Sequence, residues 1–277
     1  MKKYLLLLLL AFSLSGNAQY NLFVRQNFEH KAGVAYDADA QAFITAAGLT
    51  NPIHKSAINQ LVLDLKSYGL WTKMKAVYPL VGGTAFTHKW NLKDPRDLNE
   101  AFRLVFAGTL THNANGITGS TDGYAVTYVN ANTHLVAANN HISNYCSTDT
   151  NGSIVDMGSA NLALFQRFSN TARSYNTTAD IINVANTTSL GFYVSTRTST
   201  TSHKLYKNAS VLGSSTALTT ASLTSSVIGL LNPQDFGSYY SNRRYGWFSI
   251  GEGLNDTEEA NLYTAVQAYQ TILGRQI

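Results

Sequence analysis

Residues 236–247, FGSYYSNRRYGW, gather Tyr239, Tyr240, Arg243, Arg244 and Tyr245 within one short span. Aromatic rings stack on the C–H faces of sugars, and arginine and amide groups add planar hydrogen bonds, so this combination suits recognition of a carbohydrate. Strand alternation would equally send some of these residues into a core and leave the arginines in solvent. Trp90, in HKWNLKD, carries the same two readings. Hydrolysis of a glycosidic bond would instead need two carboxylates facing each other across a cleft. The nearest acidic cluster, Asp256, Glu258 and Glu259, fits a helix start better. Asp94 and Asp97, in KDPRDLNEA, read as turn and cap residues.

Other chemistries find little support. The seven histidines are scattered and read as polar surface residues, and the spacing of His134 and His141 is not that of metal ligands on one strand or helix. There is no Gly-x-Ser-x-Gly elbow and no phosphate loop ending in Gly-Lys-Ser/Thr. NANGITGSTDG (113–123) has oxygen ligands and glycines that could hold calcium, but it lacks the acidic density that calcium prefers and reads better as an ordinary polar loop. Cys146, the single cysteine, lies in a strand-like run and reads as a small buried hydrophobe.

The elements that must position these residues are mostly strands. From Trp71 onward, KAVYPLVGG, HKWNLK, FRLVFAG, YAVTYVN, HISNYCS, NLALFQRFS, LGFYVSTRTS, HKLYKNASVLGS and SVIGLLN are short β-branched and aromatic runs between Gly, Asn, Ser and Asp clusters. With no long helical pattern between them, they predict an antiparallel sandwich. GFYVSTRTS and HKLYKNASVL should pair as a hairpin, with Asn208 left-handed in a second tight turn. Before Trp71, two helices are expected. One is capped by Asp37 or Asp39 and ends at Gly48; the other has Thr50 as N-cap, Pro52 in its first turn and a face of Ile58, Leu61, Val62 and Leu65 ending at Gly69. At the other end, strand-forming Tyr245, Trp247 and Phe248 lead through Gly251 and Gly253 to a helix. Its start is a box of Asp256 and Glu259, its apolar face is Leu262, Val266, Tyr269 and Leu273, and Gly274 follows it.

The first residues form a separate unit. Lys2 and Lys3, the apolar run Leu5–Ser15 and the small residues of Gly16-Asn17-Ala18 make the three-part pattern of a secretory signal peptide, 1–18, too short to span a bilayer comfortably. Without it the formal charge of +4 shrinks to 18 basic against 16 acidic residues, which does not predict a nucleic-acid surface. No later run is apolar and long enough to span a membrane, and a lone cysteine leaves stability to core burial.

FSIGEGL, the acidic cap and ANLYTAVQAYQ together resemble the C-terminal signature of concanavalin A-like lectin/glucanase (laminin-G-like) jelly rolls. LYKNAS is similar to their Tyr-x-Asn-Gly hairpin, with Ala209 in place of the glycine. DADAQAFITAAGL, LWTKMKAVYPLVGGTAFTHKWNLKDPRD and the LGRQ ending resemble concanavalin A-like proteins among bacteriophage structural proteins, near tail or fibre genes. The resemblance implies an all-β fold that hosts lectins, glycosidases, adhesion modules and structural caps alike. Its glucanases carry a Glu-x-Asp-x-(x)-Glu run that this chain lacks. Virion proteins need no signal peptide, whereas the NAQ end of this one resembles signals of Bacteroidota.

The expectation is therefore a concanavalin A-like jelly-roll β-sandwich over 71–277, closed by a C-terminal helix and preceded by a lead and helical pair over 19–70. Its expected role is a non-catalytic module outside the cytoplasm that recognises a cell-surface or extracellular glycan. Tyr239, Tyr240, Arg243, Arg244 and Trp90 are its candidate ligand-binding residues, with no cofactor other than calcium in view. The competing reading is a virion component, a tail-fibre or decoration protein packed against neighbours or its own copies; a glycoside hydrolase comes third.

Overall fold

The computed structural model describes residues 35–177 and 180–277. The signal-peptide segment therefore lies outside the described residues. Among the described residues, fifteen strands form two antiparallel sheets, the β-sandwich expected from the sequence.

The first sheet is built from β1 (Met74–Tyr78), β3 (Thr111–Asn113), β4 (Gly116–Thr118), β6 (Asn140–Cys146), β11 (Gly191–Ser199), β12 (Ser202–Lys207), β13 (Ser210–Ser215) and β15 (Arg244–Gly251). Its order is β13-β12-β11-β6-β15-β4-β3, and β1 pairs with the part of β15 beyond β4. The second sheet contains β2 (Val105–Ala107), β5 (Tyr124–Asn130), β7 (Met157–Ser159), β8 (Leu162–Phe168), β9 (Thr171–Asn176), β10 (Ile181–Ala185) and β14 (Val227–Leu230), in the order β10-β9-β8-β7-β14-β5-β2. The expected β11–β12 hairpin forms, and Asn208 and Ala209 both take positive φ in the turn to β13. Two left-handed residues in a two-residue turn match the twist of the flanking strands, and this is why asparagine stands there.

The two sheets differ on their outer faces. Helices α1 (Ala38–Ala46), α2 (Pro52–Ser67) and α5 (Asp256–Ile272) cover the first. Phe43, Ile58, Leu61, Leu65, Leu262 and Val266 pack there with Val77, Tyr145, Phe192, Tyr206 and Trp247 of the strands. Both faces of β6 are consequently buried along its whole length. A bulge between Tyr245 and Trp247 lets Trp247 reach the helices while Tyr245, Phe248 and Ile250 fill the space between the sheets. The terminal helix is fastened by Tyr269 Oη to the Pro79 carbonyl (2.9 Å) and by Arg275 to the carbonyls of Pro79, Leu80 and Gly246 (2.9 Å each). In the second sheet β5 and β9 alternate buried and half-buried residues, which leaves one face toward solvent.

Several local expectations need correction. Asn51, not Thr50, caps α2 by accepting from Ile53 N (2.8 Å). The box of α5 is Asn255 with Glu258, one position earlier than expected. HKWNLK forms no strand: Thr84 and Thr87 cap a short helix, α3 (Ala85–His88), and Asn130 caps another, α4 (Ala131–His134). Three histidines are interior rather than on the surface: His88, His141 and His203. Cys146 is buried, and burial pushes its thiol up to about 12.

Candidate functional site

Beneath the 236–247 loop lies a buried polar lock. Arg243 is fully buried and donates to both oxygens of Asp156 (2.6 and 2.8 Å) and to the carbonyls of Thr150 and Arg167 (2.6 Å each). Burial works to lower its pKa, but the Asp156 carboxylate outweighs it, so the guanidinium is held more firmly protonated than usual. Tyr245 donates its hydroxyl to the same carboxylate. Such a pair, with its remaining donors satisfied, fixes a chain segment rather than binding a ligand. Arg243 is thus a structural anchor, withdrawn from the surface that the sequence assigned to it.

The remaining candidates separate. Trp90 lies in the helix-covered cluster at 6% exposure, edge-on to Phe86 (5.6 Å) with Lys89 Nζ 4.6 Å over its ring. Arg244 belongs to the first sheet and donates from Nε to Ser147 Oγ (2.8 Å). Tyr240 lines a shallow recess of about 350 Å³ with Tyr124, Asn232 and Ser238. Tyr239 is 43% exposed, and its carbonyl is fixed by Val155 N (3.0 Å).

Tyr239 joins a group that the sequence did not bring together. Its ring stands 5.8 Å from Phe168, which stands 5.7 Å from Phe165. Phe165 in turn meets Tyr175 (4.8 Å) and Phe236 (5.5 Å). On the neighbouring strand Arg173 lays its guanidinium 4.2 Å over the Phe168 ring. The rings follow from the period of two: Ala163, opposite Tyr175, and Phe165, opposite Arg173, share the outer face of β8 and β9. Leu162, Leu164 and Gln166 take the inner face, where Gln166 donates to Asn144 of the other sheet. Phe165 is buried at the base, while Phe168, Tyr175 and Phe236 are half-exposed. Polar groups border the strip: Asn170 takes a hydrogen bond from Arg167 (2.8 Å), and Asn151 accepts from Asn170 N (3.0 Å).

A second arrangement has the connectivity of a nucleophilic triad. Asp180 Oδ2 lies 3.1 Å from His203 Nδ1, and His203 Nε2 lies 2.8 Å from Ser174 Oγ. Burial, then the nearby Arg197, drives the imidazole down to about 3, so it is neutral, donating to Asp180 and accepting from serine. All of these groups are enclosed between the sheets, and Ser195 shares the serine hydroxyl. No substrate reaches a site without exposure, so this network ties β9 to β11 and β12.

The 113–123 run is a tight hairpin, β3 to β4, followed by a turn fastened by Asp122, which accepts from Thr109 N (3.0 Å) and Ser120 Oγ (2.7 Å). Among the described residues no group of three or more His, Cys, Asp or Glu side chains could hold a metal. No helix among them is long and apolar enough to cross a membrane.

No family model and no curated protein matches the sequence. Solved structures do match in fold. A chain of botulinum neurotoxin type C, which enters cells in dependence on interaction with two ganglioside molecules, superposes with TM-score 0.52 at 12% identity, over 73% of this chain and 53% of its own. The binding domain of botulinum neurotoxin DC matches in its complex with SialylT (TM-score 0.51, 12% identity, 71% and 52%) and in its complex with rat synaptotagmin II (0.50, 14%, 71% and 52%). The chain spans about half the length of these structures, and at such identities the likeness is one of fold.

Proposed function

We propose that this protein is an exported, non-catalytic module that binds glycan on the open outer face of its second sheet. The observation that carries the reading is the aromatic strip: Phe168, Tyr175 and Phe236 meet at Phe165, Tyr239 extends it from Phe168, and Arg173 stacks on Phe168. Half-exposed rings offer flat apolar platforms, and the arginine and asparagine border offers donors and acceptors for hydroxyl groups. The platform is preorganised. Tyr239 is held by its backbone, and the following residues are locked by the Arg243–Asp156 pair, so little ordering entropy remains to be lost on binding. A neighbouring subunit of a particle could cover the same rings. The glycan reading is preferred because arginine stacking and a rim of amides suit polyhydroxylated ligands better than an apolar protein face. The ganglioside and sialyl partners of the similar neurotoxin folds agree with it as an analogy of fold.

The test is binding of the full chain to intact bacterial cells and to a broad glycan array, with and without calcium. Saturable, calcium-independent binding to a defined sugar is expected. A folded sample that binds neither cells nor array contradicts the proposal and favours the assembly role.

A further inference from the structure

A cleft beside β1, lined by none of the residues of the aromatic strip, has a volume of about 420 Å³. Phe102, His134, Lys75, Lys93, Asn139 and Glu252 are among the residues that line it. Phe102 has φ 59, in the left-handed region that a bulky side chain rarely occupies. Its ring packs edge-on against His134 at 4.8 Å and forms an aromatic wall. His134 takes Asn130 N on Nδ1 (2.9 Å) and is kept largely neutral by burial and by the nearby Lys75.

The charges around the cleft do not cancel in place. Lys73 is matched by Glu258 (2.6 Å) and Asp94 by Arg96 (2.5 Å). Lys93 Nζ rests on the Trp71 carbonyl (2.9 Å) and over the Trp71 ring (4.2 Å); among the described residues no carboxylate is bonded to it, and Asp39 acts on its charge only from a distance. Lys75 is exposed. Asn139 accepts from Gly253 N (2.9 Å) through Oδ1, which leaves its amide donors for a ligand. With Lys73 and Asp94 paired, the ammonium groups of Lys75 and Lys93, the Asn139 amide and the Glu252 carboxylate border a cleft with a wall of two aromatic rings. A divalent cation would be repelled by the lysines. A neutral sugar would gain only hydroxyl hydrogen bonds from the ammonium groups, whereas a pyranose bearing one carboxylate would gain a stronger charge-assisted pair as well.

We propose that this cleft is a second, independent binding site, for an acidic sugar whose carboxylate meets Lys75 and Lys93 and whose ring lies against Phe102. Glu252 opposes the anion and takes hydroxyl hydrogen bonds on the other side. The site shares none of these residues with the strip.

The test is an NMR titration of the isotopically labelled full chain with D-glucuronate and, separately, with D-glucose. Glucuronate should shift the resonances of Phe102, His134 and Asn139 saturably, with glucose weaker by about tenfold. Lys75→Gln should cost glucuronate about fivefold and leave glucose unchanged, and Glu252→Gln should improve glucuronate binding. Added salt should weaken glucuronate alone. Because Lys75 is exposed, its variant should keep the dispersed spectrum of the folded chain. Equal shifts from the two sugars, no shifts at all, shifts confined to other residues, or a Lys75→Gln variant with unchanged glucuronate affinity would each overturn the proposal. Tyr239→Ala should leave the titration intact, so failure of the strip and failure of the cleft are read separately.

Discussion

The two outer faces of the sandwich are both rich in aromatic residues and are used in opposite ways. On the first sheet, Tyr145, Phe192, Tyr206 and Trp247 are sealed by three helices and have become core. On the second, Phe168, Tyr175, Phe236 and Tyr239 are linked through Phe165 and remain partly open to solvent. Composition is similar, so the presence of a covering element decides the outcome. An aromatic side chain adds stability where it is sealed, and is available for recognition where it is not.

The comparison breaks most visibly at Trp247. Trp247→Ala removes a fully buried indole that donates to Ser143 Oγ (3.1 Å), and should cost about 3–5 kcal/mol in urea unfolding. A loss under about 1 kcal/mol would mean that the helices do not seal that face as a core. Asp156→Ala leaves Arg243 buried without its counter-charge beneath the open face, and should cost about 3 kcal/mol. That variant should also loosen Tyr239, seen as faster amide exchange around Val155.

A smaller effect concerns Glu259, on the covered side. Neither carboxylate oxygen has a hydrogen-bond partner, and burial, with Asp256 nearby, raises its pKa to about 7. The native state therefore binds a proton that the unfolded chain releases near pH 4.5, and stability falls as pH rises from there through 7. Glu259→Gln should remove that loss, adding about 2 kcal/mol at pH 8 and nothing at pH 4 in paired denaturation curves. An equal effect at both pH values would show that the carboxyl does not titrate across this range.

The smallest change in stability belongs to Tyr239→Ala, about 0.5 kcal/mol by thermal melting, because the ring is part-exposed and packs edge-on to Phe168. Its effect on glycan binding should be large, about tenfold or more.

Much of the fold was legible from the sequence because it rests on local signals. The sandwich followed from short β-branched runs, the three long helices from periodicity and caps, and the β12–β13 turn from Asn208. Cap positions slipped by one where two capping residues are adjacent, as with Thr50 and Asn51 or Asn255 and Asp256. Backbone geometry outside the helix, which composition does not reveal, selects between them. TARSYN and IINVA carry no clear strand pattern, because β9 turns Ser174 and Asn176 inward to a polar network, inverting the usual alternation. Arg243 was misplaced for a similar reason: Asp156 lies 87 residues away, and no local pattern announces a buried ion pair. Of the proposed strip only Tyr239 was foreseen. Phe168, Arg173 and Tyr175 meet it through a sheet register that tertiary pairing sets.

The most direct measurement is a side-by-side glycan-array comparison of the full chain with a Phe168→Ala, Tyr239→Ala double variant of matched folded content. The account predicts saturable binding of a defined glycan by the native chain and its loss in the variant, with melting temperatures only slightly apart. A variant that binds as well as the native chain would contradict the assignment of recognition to the open face.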